Sequence, residues 1–292
     1  MTDLKRAAID LYDAFTHGHG DRRRFMRDLV ALAGSAAAAD ALLLGIAASP
    51  AAAAVVPASD PRLVTRKGGY ALPDGRRMTG YFAAPRQSGG RLGAVMVIHE
   101  NRGLQPHIED VARRLALAGF FAVAPDFLSF QGGTPGDEDQ ARTLIGQVDM
   151  PAVVSAGVGT LQRLKRLRNG TGKAGTVGFC WGGAMVHRVA VAAGPVLDAG
   201  VSYYGPAPDP AEASKVQAPL MLHLAGNDTR VNATALPWAE ALRGAGKTVQ
   251  SFTYADVEHA FNNDTSAERY NQAAARQAWD RTMAFFHEQL DG

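Results

Sequence analysis

The segment Gly178-Phe179-Cys180-Trp181-Gly182-Gly183 holds the chain's single cysteine between glycines two residues before it and two after. That spacing suits a sharp turn from a strand into a helix, because side chains at the flanking positions would collide there. The turn lifts the central side chain clear of the sheet. Residues 174–178, which lead in, are small or apolar apart from Thr176, and residues 184–193, which follow, are largely apolar, so a strand precedes the turn and a helix follows it. A cysteine in that place is a candidate nucleophile. A thiol needs a base to take its proton, and the base needs a carboxylate to orient it. Asp228 follows the apolar run 220–225 across Gly226-Asn227, and His259 follows the run ending at Tyr254. Singly, each has a plainer reading: an inert buried thiol, a turn aspartate in Gly-Asn-Asp-Thr, a surface or helix-capping histidine. In the order nucleophile, acid, histidine, each after its own strand, they read as an acyl-transfer triad.

Short apolar strands alternate with amphipathic segments from Pro61 onward, which is the pattern of a mostly parallel sheet with helices on both faces. Residues 77–84 read as an early edge strand and 93–98 as a buried central one. Ile108, Val111, Ala112 and Leu115 make a helix face that Gly119 ends, and 120–124 is the next strand. A helix over 152–167 leads to the elbow strand. Further strands fall at 199–203, 220–225 and 248–254, with helices at 236–242 and 271–290. No internal repeat or long linker divides this body, so residues 59–292 form one catalytic domain of α/β class. Gly246-Lys247-Thr248 and Gly172-Lys173 end like phosphate-binding loops, but Ala241 and Leu167 stand where the earlier glycine is required.

Composition bounds the partners. A net charge of +2 over 292 residues, with no basic stripe interleaved with aromatics, excludes nucleic acid as a natural target. One cysteine excludes an intrachain disulfide framework and any multi-cysteine metal site. No cofactor is called for, and the expected state is a monomer or small homo-oligomer.

Residues 1–58 differ from the rest. Asp21-Arg22-Arg23-Arg24-Phe25-Met26-Arg27 precedes an Ala/Leu/Gly-rich run to Ala54 that ends in small residues, which resembles a twin-arginine export signal and would place the mature protein in the periplasm. Leu4, Ala8, Leu11, Tyr12 and Phe15 share one helical face, however, and Asp40 interrupts the apolar run. Those two features suit a retained, packed arm on a cytoplasmic protein. A stable membrane anchor fits neither reading, because the run is mostly alanine.

The body resembles the dienelactone hydrolase family of the α/β-hydrolase superfamily from about Gly68 to Leu290. The segments that carry the resemblance are Val97-Ile98-His99-Glu100-Asn101-Arg102-Gly103, Ala124-Pro125-Asp126-Phe127, the elbow, His223-Leu-Ala-Gly-Asn-Asp228 and His259-Ala260-Phe261. The resemblance implies the α/β-hydrolase fold, Cys180 as nucleophile, His259 as base and then acid, and Asp228 as its orienter. It also implies an oxyanion hole from the backbone amides of Trp181 and Asn101, and a thiol-modulating role for Glu100, whose plainer reading is a carboxylate bonded to Arg102 or nearby backbone.

The thiol constrains the substrate. A free thiol has a pKa of about 8.5 and water one of about 15.7, so a tetrahedral intermediate expels sulfur before an alkoxide unless the oxygen is protonated or is already a stable anion. Enol lactones and aryl esters meet the second condition, so the expected substrate is a small activated ester or lactone; a broad carboxylesterase and a redox-sensing thiol protein are the alternatives. Family members that act on dienelactones hold the substrate carboxylate with two arginines, and those positions are here Phe130 and Asn263. Arg102 is the substitute anchor read from the sequence, with Phe130, Trp181, Tyr203 and Tyr204 as candidates for an aromatic pocket. His99, His107, His187 and His223 make no recognisable metal set.

Overall fold

The computed structural model describes residues 3–18, 21–47 and 54–292. Its centre is an eight-stranded sheet in the order β1-β2-β4-β3-β5-β6-β7-β8. The strands are β1 (Leu63–Ala71), β2 (Arg77–Pro85), β3 (Leu92–Ile98), β4 (Phe121–Pro125), β5 (Gly170–Phe179), β6 (Ala199–Tyr203), β7 (Leu220–Ala225) and β8 (Val249–Tyr254). Pairings from β4 through β8 are parallel, and the β1–β2 and β2–β4 pairs are antiparallel. The expected α/β-hydrolase architecture is therefore present. One correction concerns the edge: residues 77–84 lie inside the sheet as part of β2, and β1 is the edge strand. The sequence of β1, Leu-Val-Thr-Arg-Lys-Gly-Gly-Tyr-Ala, carries a Gly pair and exposed charges, so it lacks a clean strand signal.

Strand periodicity of two divides the core into layers. Val95 and Val97 of β3 and Val177 and Phe179 of β5 face one side. That side is covered by α4 (Pro106–Leu117), through Ile108, Val111, Ala112 and Leu115, and by α9 (Gln272–Leu290), through Ala278, Phe285 and Phe286. Ala94, Met96 and Ile98 face the other side, under α6 (Met150–Leu164), α7 (Trp181–Ala193) and α8 (Thr229–Gly244). A further helix, α5 (Glu138–Gly146), lies between β4 and α6.

The N-terminal residues form three helices, α1 (Asp3–His17), α2 (Arg22–Ala33) and α3 (Ala36–Ile46), with a small core of their own around Ile9, Tyr12, Phe15, Phe25 and Leu29. Asp21 and Ser35 cap α2 and α3 by accepting from Arg23 N and Ala38 N. The helical face read at Ala8, Tyr12 and Phe15 is the buried one, whereas Leu4 is exposed. Residues 48–53, where the small-residue cleavage pattern was expected, lie outside the described residues. Among the described residues no single helix is long and apolar enough to cross a membrane.

Two histidines tie stability to pH. His187 accepts from Trp238 Nε1 at 3.1 Å and His223 lies between Tyr254 Oη and Thr282 Oγ1, both at 3.0 Å. Burial pushes each imidazole down to about 3. An unfolded chain takes up a proton at each of these positions near pH 6.5 while the folded one does not, so stability is complete above 6.5 and is lost as pH falls toward 3. The urea midpoint should therefore drop between pH 7 and pH 5, with each histidine contributing about 2 kcal/mol by pH 5. A midpoint constant over that range would contradict the burial of both rings in neutral form.

Candidate active site

Parallel strands deliver their following loops to one end of the sheet, and the chemistry collects there. Asn101 follows β3, Cys180 follows β5, Asp228 follows β7 and His259 follows β8. Cys180 has φ 56° and ψ −112°, a left-handed conformation that costs a non-glycine residue about 1–3 kcal/mol. Crowding enforces it. A Cβ on Gly178 would lie 2.1 Å from Gly182 O, one on Gly182 2.3 Å from Ile98 O, and one on Gly183 2.6 Å from Tyr203 O. The sequence reading of a strained elbow is thus met at atomic level, and Cys180 is only 4% exposed.

His259 Nδ1 lies 2.5 Å from Asp228 Oδ2, so the ring donates there and turns Nε2 into the site. That Nε2 is buried and has no hydrogen-bond partner among the described residues. Burial alone would push His259 down, but once the sulfur is ionised its negative charge and the bond to Asp228 outweigh burial and raise the imidazole to about 10. Asp228 is held below the usual carboxylate range, against its burial, by the same histidine and by the amide of Val231. A proton leaving the thiol therefore has a strong acceptor next to it. Trp181 is the first residue of α7, where its amide has no intrahelical acceptor, and Asn101 N likewise has no acceptor among the described residues. Both amides are free for a developing oxyanion.

The remaining expected residues divide. Glu100 makes no described hydrogen bond to Cys180: its Oε2 accepts from Asn263 Nδ2 at 3.0 Å, and its Oε1 is buried without a partner. Asn263, 1% exposed, is occupied by Glu100 and by Thr265, so it is a structural link and not a substrate contact. Tyr204 packs its ring 5.0 Å from that of His259 and is fully buried, so it backs the histidine. Phe130 is a correction. It stands 38% exposed under the guanidinium of Arg76, at 5.1 Å, outside the cavity at Cys180. Arg102 is another, because Glu138 Oε2 at 3.0 Å and the Tyr12 hydroxyl occupy it, and it lines a separate cavity of about 570 Å³ between the arm and the body.

The cavity at Cys180 measures about 700 Å³ and is lined in part by Trp181, Asn101, Met150, Arg142, Arg188 and Arg230. Among the described residues its wall has three arginines and no carboxylate. Arg142 pairs with Asp139 at 3.2 Å, whereas burial alone acts on Arg188, pushing its guanidinium down. Sequence reasoning missed all three, because they come from α5, α7 and α8 and no local motif marks them. It also missed His17, whose Nε2 lies 3.0 Å from Cys180 Sγ. Among the described residues, His17, Cys180 and His259 are the one group whose donor atoms, all within 4.8 Å of one another, could hold a metal ion.

A profile of the dienelactone hydrolase family matches residues 78–290. The chain belongs to that family. It is 32% identical over 258 residues to the Escherichia coli K12 protein named "Putative carboxymethylenebutenolidase", covering 83% of this chain and 93% of that one. A shorter E. coli K12 relative, "Putative hydrolase fragment YghX", is 50% identical over 92 residues, 31% of this chain and 79% of its own length. Among solved structures, a dienelactone hydrolase homologue from Klebsiella pneumoniae superposes with a TM-score of 0.69 at 28% identity, over 77% of this chain and 99% of that one. This family member is accordingly a hydrolase with the α/β-hydrolase fold, as the elbow and its neighbouring segments implied.

The elbow glycines supply a direct test of the geometry. Gly182→Ala should destabilise the protein by about 3 kcal/mol or more, since all three close contacts of the new Cβ are backbone atoms of Ile98 and His99 that cannot move aside. Gly146→Ala, at the end of α5 with nothing within 4 Å, should be neutral or slightly stabilising. Equal urea midpoints for the two variants would refute the packing described.

Proposed function

We propose that the protein hydrolyses small activated esters or lactones that carry an anionic group, through a Cys180-His259-Asp228 triad and a thioester intermediate. The observation that carries this reading is the 2.5 Å bond from His259 to Asp228, which leaves a buried, unpartnered Nε2 beside the elbow thiol. The thiol proton passes to His259 Nε2 as sulfur attacks the carbonyl carbon. The carbonyl oxygen takes the negative charge and is held by the amides of Trp181 and Asn101. Cleavage of the C–O bond expels the enol or phenol oxygen, which takes the proton from His259, and leaves the acyl group on sulfur. Water, giving up a proton to the now neutral His259, attacks the thioester. Collapse returns the thiol and releases the acid.

The anionic preference follows from the cavity wall. The positions that hold a carboxylate in dienelactone-cleaving members are Phe130 and Asn263 here, and neither carries charge or faces Cys180 as a free group. Arg188 and Arg230 supply charge from different elements of the same cavity. A guanidinium–carboxylate contact of this kind contributes about 1.5–3 kcal/mol, roughly ten- to a hundredfold in binding.

Cys180→Ala should lower p-nitrophenyl acetate hydrolysis by about a thousandfold while leaving the fold intact; turnover unchanged from wild type would remove the triad reading. Paired aryl esters with and without a carboxylate test the second half. Arg188→Leu should raise KM for the carboxylated ester about tenfold or more and leave the neutral ester's KM unchanged. Equal effects on both esters would show that Arg188 does not bind the anion.

A further inference from the structure

The family match begins at residue 78, yet the thiol has a hydrogen-bond partner from residue 17. His17 is the last residue of α1, and its Nδ1 lies 2.9 Å from the carbonyl oxygen of Asp13. A carbonyl only accepts, so Nδ1 carries the hydrogen and Nε2 presents a lone pair. That lone pair points at Cys180 Sγ from 3.0 Å. Burial above all, with the nearby charge of Arg230 adding to it, pushes His17 well below the ordinary histidine range, so it stays neutral and acts as an acceptor. The bond seen at the sulfur is then S–H donating to His17 Nε2, while His259 Nε2 has no partner. Glu100, whose Oε2 accepts from Asn263, makes no hydrogen bond to the sulfur among the described residues.

We propose that His17 is the resting hydrogen-bond partner of the Cys180 thiol, so that the N-terminal arm is a retained part of the working active site. This rests on the reading of Cys180 as the nucleophile. The arm is built to place His17. Asn101 Nδ2 donates to Thr16 O at 2.8 Å, next to His17 and on the oxyanion loop itself. Arg269 reaches Asp13 Oδ1 at 3.3 Å and Ile46 O at 3.0 Å, and Glu268 N donates to Gly45 O at 3.0 Å. Beyond the described gap, Val56 N is tied to Asp110 Oδ1 at 2.8 Å. Both ends of α1–α3 are thus fastened to loops around the site, and removal of the arm would strip the thiol of its partner. His17 is a positioning residue: it holds the thiol protonated until bound substrate draws the sulfur to its carbonyl carbon and the proton passes to His259.

The chain has one cysteine, so its infrared spectrum contains one S–H stretching band, and Cys180→Ser identifies it by loss. In the full-length wild type the band should be present and shifted to low wavenumber by a strong acceptor. His17→Ala should move it up, His17→Gln, which keeps an acceptor, should restore part of the shift, and His259→Ala should leave it in place. Absence of the band in wild type, or a band that moves in His259→Ala and not in His17→Ala, would overturn the proposal. Neither result bears on whether Cys180→Ala abolishes hydrolysis, so failure of this inference is separable from failure of the triad. The intact mass of the active enzyme purified from cells should include residue 17; a fully active product starting near Val55 would also overturn it.

Discussion

Everything at the active end depends on the backbone contact between α7 and the three central strands. Ile98 of β3, Gly178 of β5 and Ser202 of β6 stand side by side in register, and the start of α7 is pressed onto this row through Gly182 and Gly183. Contact that close leaves no room for a Cβ at either glycine. It also fixes the direction of the first helical turn, hence of the Trp181 amide, and forces Cys180 to positive φ. Strain of this size is held by the two apolar layers on either face, each of which includes residues of β3 and β5. Local distortion is tolerated because the parts that would relax it are buried on both faces of the sheet.

The charge state of the site follows from having two imidazoles in one small volume. The rings of His17 and His259 lie 4.7 Å apart at 80°, and a positive charge on one disfavours it on the other. Asp228 settles which of them carries it, because it touches His259 and not His17. His259 is raised and His17 is lowered for linked reasons. One histidine is a strong proton acceptor for the thiol and the other can offer only a lone pair.

Those residues whose placement is set by local sequence were legible before the structure: the elbow, the apolar runs of β3 and β5, the face of α4, and the aspartate and histidine after β7 and β8. Residues whose role is set by tertiary approach were not. Phe130 occupies the position of a family anchor, but the turn after Leu128 swings it out against Arg76. Arg102 follows Asn101 directly and was a reasonable anchor by proximity in sequence; Glu138 and Tyr12, 36 and 90 residues away in the chain, contact it instead. The helical face of α1 was visible, but which body residues it meets depends on contacts such as Asp13 with Arg269, 256 positions apart. No periodicity encodes that distance.

Under the proposed triad, a thiol nucleophile faces a leaving-group problem that the two imidazoles bear on. Protonation by His259 would help any alkoxide, but the proton would sit on a ring whose affinity for it is raised by an ionised sulfur beside it. Acylation of the sulfur would remove that charge and make the imidazolium a better acid at the moment the leaving oxygen departs. In the same proposed reaction Arg188 and Arg230 would act in the same direction by a different route. Positive charge with no carboxylate among the described residues of the cavity wall would lower the free energy of an expelled enolate as well as that of a bound carboxylate. Substrate recognition and leaving-group stabilisation would then draw on one field, and an ester that offers both an acidic leaving group and a fixed negative charge would use it twice.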